Sequence, residues 1–156
     1  MRITQTIMMS LLSLGLIQSA WAKEIDHRVI ASICISTKNN ESASILRTTK
    51  SESIVLKRDF NQIHCKKTSE FEGGNLYQIA VHFNRLGMLD SFLDEHGLSI
   101  NQLDQAGQTV LDWVDEKLNH YKKIGSPFSV DKYKKLRAEL IDTYEAKTRK
   151  ELDAGQ

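Results

Sequence analysis

The chain has few of the residues that mark specialised classes of protein. Its 156 residues include one proline, eight glycines and two cysteines. These counts exclude collagen-like, low-complexity and disulfide-dense scaffolds. Charge of one sign is also lacking, because the net charge is +1 and acidic and basic residues are interspersed. Nothing therefore predicts a nucleic-acid partner. With 40% hydrophobic and 26% charged residues, the composition is typical of one soluble domain.

A long hydrophobic run occurs only at the N-terminus. Arg2 precedes an apolar run of 11 residues, Ile7 to Ile17, and Ala20-Trp21-Ala22 offers the small side chains that a signal peptidase requires. A membrane span needs about 20 apolar residues. We therefore predict a signal peptide over 1–22 that is cleaved after Ala22, export to the periplasm, and no membrane anchor in the remaining single domain, 23–156.

Export changes the interpretation of the two cysteines. In an oxidising compartment Cys34 and Cys65 have only each other as partners, which favours a structural disulfide. Two alternatives stay open. The thiols could remain free, or they could bind a metal with the adjacent His64, although neither cysteine lies in a Cys-x-x-Cys pair.

The hydrophobic pattern is helical almost throughout the exported part, and no alternating strand pattern occurs. Apolar residues recur at three- and four-residue steps in several short stripes and in one long stripe near the C-terminus. A polar stretch with two glycines, 66–74, and a turn segment, 101–107, separate them. The pattern predicts an all-α protein built from pairs of short helices. The stripes are Val29–Cys34, Ile45–Leu46, Ile54–Ile63, Tyr77–Phe83, Met88–Leu93, Val110–Tyr121 and Val130–Tyr144.

Two segments align at a spacing of 34 residues, beginning at Gly73 and Gly107. Each starts with glycine in a turn and enters a helix. The second copy, Gly107-Gln108-Thr109-Val110-Leu111, resembles the ankyrin signature G-x-T-P-L-H-x-A, with Val110 for proline and Asp112 for histidine. Near the C-terminus, Glu145 to Leu152 is similar to the close of the last repeat in some bacterial ankyrin proteins, with Glu145 for glycine.

The resemblance implies a short ankyrin-like solenoid of about three helix pairs, with approximate repeats 26–61, 73–106 and 107–145. In such a turn Gly107 takes a positive φ, Asp104 hydrogen-bonds its own turn and Thr109 caps the following helix. A helical bundle with chance glycine spacing is the alternative.

Catalytic motifs are missing, and the acidic cluster Asp112, Asp115 and Glu116 is more typical of a solvated helix face than of an acid–base pair. Trp113 and Tyr121, at helical spacing, are expected in the core. The sequence therefore predicts a protein without enzymatic activity, cofactor or bound metal.

Ankyrin-type proteins bind other proteins through turn tips and first helices, so the resemblance implies a protein partner, for instance a toxin or a co-exported enzyme that this chain would inhibit. Phe71 is either a plug over the core or an exposed anchor. A periplasmic redox or stress-protection factor that uses Cys34 and Cys65 is the competing function. The expected contacts are Leu103, Gln105, Ala106, Gln108 and Glu116, followed by Phe71, Glu72 and His82.

Overall fold

The computed structural model of the chain describes residues 24–155, so the predicted signal peptide lies outside the described residues. Over this range the chain forms eight α-helices and one 3-10 turn and has no strand, which confirms the all-α prediction. No helix in it is long and apolar enough to cross a membrane. The helices are α1 (His27–Asn39), α2 (Ser42–Ser51), α3 (Leu56–Asp59), α4 (Leu76–His82), α5 (Leu86–Asp94), α6 (Val110–Lys123), α7 (Pro127–Asp142) and α8 (Arg149–Ala154), with the 3-10 turn at Phe60–Gln62.

Six of the helices form three pairs. Helix α1 packs on α2, α4 on α5 and α6 on α7, and the first helices are also in contact, α1 with α4 and α4 with α6. Each pair is joined by two or three residues that include one with positive φ, namely Asn40, Asn84 and Gly125. Such short connections place the two helices of a pair antiparallel. The three pairs therefore follow one another in chain order.

The turn before α6 has the local structure that its residues predict. Gly107 has a φ of 74°. The carboxylate of Asp104 accepts hydrogen bonds from the amides of Ala106 and Gln108, both at 2.9 Å. Thr109 caps α6 in a capping box with Asp112. The predicted roles of Asp104, Gly107 and Thr109 are thus confirmed.

Two segments differ from the helices that the apolar stripes predict. The third stripe forms only the four-residue helix α3 and the 3-10 turn, because the buried Asp59 carboxylate accepts a 2.9 Å hydrogen bond from the Val55 amide and closes a tight local structure. The short helix α8 follows the last stripe. It begins with a capping box of Thr148 and Glu151, after Glu145 at a φ of 54°. Glu145 thus has a left-handed backbone conformation, which glycine adopts more readily than other residues.

One hydrophobic core joins the three pairs. Every helix from α1 to α7 contributes buried side chains, while α8 contributes none. Tyr77 is a central member, because its ring contacts Phe60 and Phe92 at centroid distances of 5.2 and 6.0 Å and its hydroxyl donates to the Ser99 carbonyl. Tyr77 therefore links α4 to the 3-10 turn, to α5 and to the segment that follows α5.

We predict that Thr109→Val destabilises the fold by about 1 kcal/mol, within a range of roughly 0.5–2 kcal/mol, because the substitution removes the cap of α6 without changing side-chain volume much. Thr109→Ser keeps the hydroxyl and should lose clearly less of that stability. Urea unfolding of the three proteins measures the difference. A Thr109→Val variant that is as stable as the parent, or no less stable than Thr109→Ser, would contradict the role of the cap.

Candidate functional site

The segment between Cys65 and Gly74, here called the connection, is held at both ends. Its two ends are paired, since the Cys65 amide donates to the Gly74 carbonyl at 2.7 Å and the Gly74 amide donates to the Cys65 carbonyl at 3.0 Å. Within it the Thr68 amide donates to the Phe71 carbonyl. A disulfide joins Cys65 to Cys34 of α1, with the Cα atoms 5.6 Å apart, so the predicted pairing of the cysteines is present. Both residues are buried, which favours the structural alternative.

Side chains tie the connection to all three first helices. Lys38 of α1 forms an ion pair with Glu70 at 2.5 Å. His82 of α4 is hydrogen-bonded through Nε2 to the Glu70 carbonyl at 2.6 Å. Lys117 of α6 forms an ion pair with Glu72. The connection therefore lies across the row of first helices and divides the surface there.

Phe71 is the plug of this arrangement. Its side chain is 2% exposed and lies against His82 and Phe83, with ring centroids 5.2 and 6.1 Å away. Of the two alternatives that the sequence left open, the structure has the plug over the core. Phe71 is therefore not available as a surface anchor.

A polar cavity of about 200 Å³ lies on one side of the connection, lined by residues that include Glu72, His82, Lys117, Tyr121 and Tyr133. The Glu70 carbonyl can only accept a hydrogen bond, so Nε2 of neutral His82 carries the proton. Nδ1 then accepts from the Tyr133 hydroxyl, at 3.2 Å. Tyr121 stacks on Tyr133 with centroids 5.4 Å apart.

Burial shifts the titration of this cluster. It lowers the pKa of His82, and the neighbouring Lys132 ammonium lowers it further. Burial also lowers the pKa of Lys132, whose Nζ donates to the His82 carbonyl at 2.6 Å. The pKa of Tyr133 is raised well above its usual value, first by burial. His82 is therefore held neutral, as a hydrogen-bonding link between the connection and α7.

The predicted contacts of the 101–109 turn lie elsewhere. Gln105 and Ala106 are exposed and line a cavity of about 220 Å³ together with His64 and Asn75. The Gln105 side-chain amide donates to the Asn61 carbonyl at 2.5 Å. The other three are spread around this turn and α6: Leu103 and Gln108 are half-buried, and Glu116 is exposed.

Five of the eight expected contacts line two separate cavities. Phe71, Glu72 and His82 come together at the polar cavity, where they hold the connection in place. Gln105 and Ala106 line a different cavity, near the start of α4. The exposed turn residues are the group whose side chains can meet a partner without breaking the connection.

The acidic cluster of α6 has structural partners. Asp112 accepts hydrogen bonds from the Thr109 hydroxyl and from the Arg149 amide of α8, at 3.0 and 2.9 Å. Asp115 pairs with Arg137 of α7 at 2.6 Å. Trp113 is buried, as expected, and its ring meets that of Tyr133 edge-on. Two of the three carboxylates therefore link α6 to the helices after it.

A further cavity, here called the α1 groove, lies on the other side of the connection, and the sequence did not predict it. It has a volume of about 170 Å³. Ile35 at its edge is 58% exposed and lies outside the apolar stripe of α1, a signal that could have drawn attention to this surface. The lining residues include Ile30, Ala31, Ile35, Lys38, Lys66, Ile79 and Phe83.

Within residues 24–155 no group of three or more histidine, cysteine, aspartate or glutamate side chains is arranged to hold a metal ion. Comparison with models of protein families, with curated proteins and with solved structures finds no match to this chain.

We predict that Cys34→Ser with Cys65→Ser lowers the free energy of unfolding by about 3–4 kcal/mol, the chain-entropy value for a loop of this length. Denaturant unfolding of the parent and the double variant measures the loss. Mass spectrometry after alkylation gives the matching control, because a structural disulfide resists mild reductant. A pair that is readily reduced and alkylated in the native protein would support the redox function instead.

We also predict that acidification destabilises the protein through His82. In the unfolded chain the imidazole takes up its proton near pH 6.5, while the folded protein resists protonation because the pKa of His82 is lowered. Stability should therefore fall as the pH drops below about 6.5. His82→Gln should reduce this pH dependence, and His27→Gln, at an exposed position, serves as the control. His96, whose pKa is also lowered by burial, should account for part of the remaining slope. Identical slopes in parent and His82→Gln would contradict the assignment.

Proposed function

We propose that the protein is an exported, ankyrin-like binding module that recognises a protein partner through the exposed turn at 101–109 and the adjoining first helices. The observation that carries the proposal is the turn itself. Asp104, Gly107 and Thr109 have the backbone and hydrogen bonds that the ankyrin resemblance implies, and they leave Gln105 and Ala106 exposed at the tip.

The arrangement of the helices supports the same function. Helix pairs that follow in chain order, with their first helices in contact, suit a repeat scaffold that presents its first helices on one side. The surface is rigid where the connection crosses it, because the disulfide and the ion pairs fix it to α1 and α6. A rigid surface loses little conformational entropy on binding.

Export fits the disulfide, since such bonds persist in oxidising compartments. We propose the periplasm as the compartment and a co-exported enzyme or an incoming toxin as the class of partner. Inhibition would then follow from occlusion, because the scaffold covers a partner surface without chemistry of its own.

Site-specific photo-crosslinking tests the binding surface. A photoreactive phenylalanine at Gln105 or Glu116 should crosslink to one and the same protein in a periplasmic extract, and excess unlabelled protein should abolish the product. Ala43 of α2 and Lys134 of α7, both exposed on second helices, are the control positions. Products of equal yield from turn and control positions, or products that do not saturate, would refute the proposed surface.

A further inference from the structure

The α1 groove is an apolar cavity that opens to solvent between α1, α4 and the connection. Ile30 and Ile35 line it from α1, Ile79 lines it from α4, and Phe83 lines it from the position directly after α4. The Cys34–Cys65 disulfide and Phe71 form part of its wall, so its shape is set by the same links that hold the connection. The groove is therefore a concave apolar site whose walls are formed before any ligand binds.

The lining of the groove contains basic side chains and no acidic one, while the Glu70 carboxylate lies beside it as the ion-pair partner of Lys38. Among its thirteen lining residues there are two lysines, Lys38 and Lys66, and two histidines, His27 and His64, but no carboxylate. Lys38 is partly engaged, because it pairs with Glu70 and lies over the Phe83 ring at 4.7 Å from the centroid. Lys66 is exposed and forms no ion pair with any residue of the described range. An occupant with negative charge beside an apolar group would complement this rim.

The size of the groove selects the kind of occupant. Sites for whole small molecules enclose roughly 300–1,000 Å³, whereas this groove has about 170 Å³. A cavity of about 150 Å³ holds a single benzene ring. The groove therefore fits one aromatic or leucine-sized side chain better than a complete ligand.

The exposed Ile35 side chain continues the apolar surface beyond the groove. A small molecule bound inside would leave this side chain in water, while a polypeptide segment whose anchor enters the groove could cover it with a neighbouring residue. This favours a protein partner over a free amphipathic carboxylate.

We infer that the α1 groove binds one apolar side chain, aromatic or leucine-like, of a partner segment in which aspartate or glutamate flanks the anchor. The inference rests on the proposed function, because it assigns partner chemistry to a part of the same binding module. It adds Ile35 and Lys66, which the sequence did not single out, to the contact surface.

Defined peptides test the inference without knowledge of the natural partner. Fluorescein-labelled Ser-Asp-Glu-Phe-Asp-Glu-Ser should bind saturably in fluorescence anisotropy, with a dissociation constant below about 1 mM. Replacing its phenylalanine by alanine, or its acidic residues by asparagine and glutamine, should weaken binding by roughly tenfold or more. Added salt should weaken the binding of the acidic peptide and leave the binding of the amide peptide nearly unchanged.

Matched protein variants locate the site. Ala31→Trp fills the groove from an exposed position of α1, and Lys66→Glu reverses the charge at the rim. Each substitution should weaken the binding of the acidic peptide at least tenfold. Ala43→Trp on α2 and Phe128→Ala, which removes an 83% exposed aromatic outside the groove, should leave binding unchanged. Circular dichroism and thermal unfolding confirm that all four variants fold.

The outcomes separate the two proposals. No saturable peptide binding, or equal binding by Ala31→Trp and the parent, overturns the groove assignment, while the crosslinked partner of the turn can still be found. Saturable binding of decanoate, measured directly by calorimetry, together with no measurable peptide binding would identify a small amphipathic carboxylate as the occupant and also overturn it. Concentration-dependent self-association abolished by Ala31→Trp would identify a second copy of this chain instead, with the same consequence.

Discussion

The disulfide between α1 and the connection is the constraint on which the surface of this protein depends. Its stabilisation, about 3–4 kcal/mol in the chain-entropy model, exceeds that of the other links. The Lys38–Glu70 pair is largely exposed, so solvent screens it and it contributes little. Only the burial of Phe71, about 1.5–3 kcal/mol for a side chain of this size, is comparable. A polar loop that contains Gly73 and Gly74 could not keep one conformation without these two anchors.

The connection gives the first-helix side of the molecule two chemically different cavities. On the side of α6, Glu72, His82, Lys117 and Tyr133 satisfy one another, so their polar groups are already engaged within the chain. On the side of α1, apolar side chains and Lys66 remain open to solvent. A partner would have to break internal hydrogen bonds to enter the first cavity but only displace water from the second. Because of this difference, we propose the α1 groove and not the polar cavity as a binding site.

Short-range chemistry was predictable from the sequence, while long-range contacts were not. Asp104, Gly107 and Thr109 act on residues within four positions of themselves, so their spacing alone predicts the turn and the cap. The cysteines were predictable for another reason, since there are only two of them. The burial of Phe71, the pairing of Glu72 with Lys117 and the bond from Arg149 to Asp112 depend on how helices meet in space. No local sequence pattern encodes such long-range contacts, and the α1 groove is formed by contacts of this kind.

Rigidity and recognition have the same physical origin in this chain. Because the disulfide and Phe71 fix the connection before any partner arrives, the walls of the α1 groove need no further ordering when a side chain enters. Ordering a flexible loop at an interface costs about 0.5–1.5 kcal/mol for each side chain that is immobilised. Because folding has already ordered these walls, one apolar side chain of modest area that enters the groove can contribute most of its burial energy to affinity. If the chain binds a partner as we propose, one preformed groove and the lysine at its rim would supply specificity that its nearly neutral net charge does not.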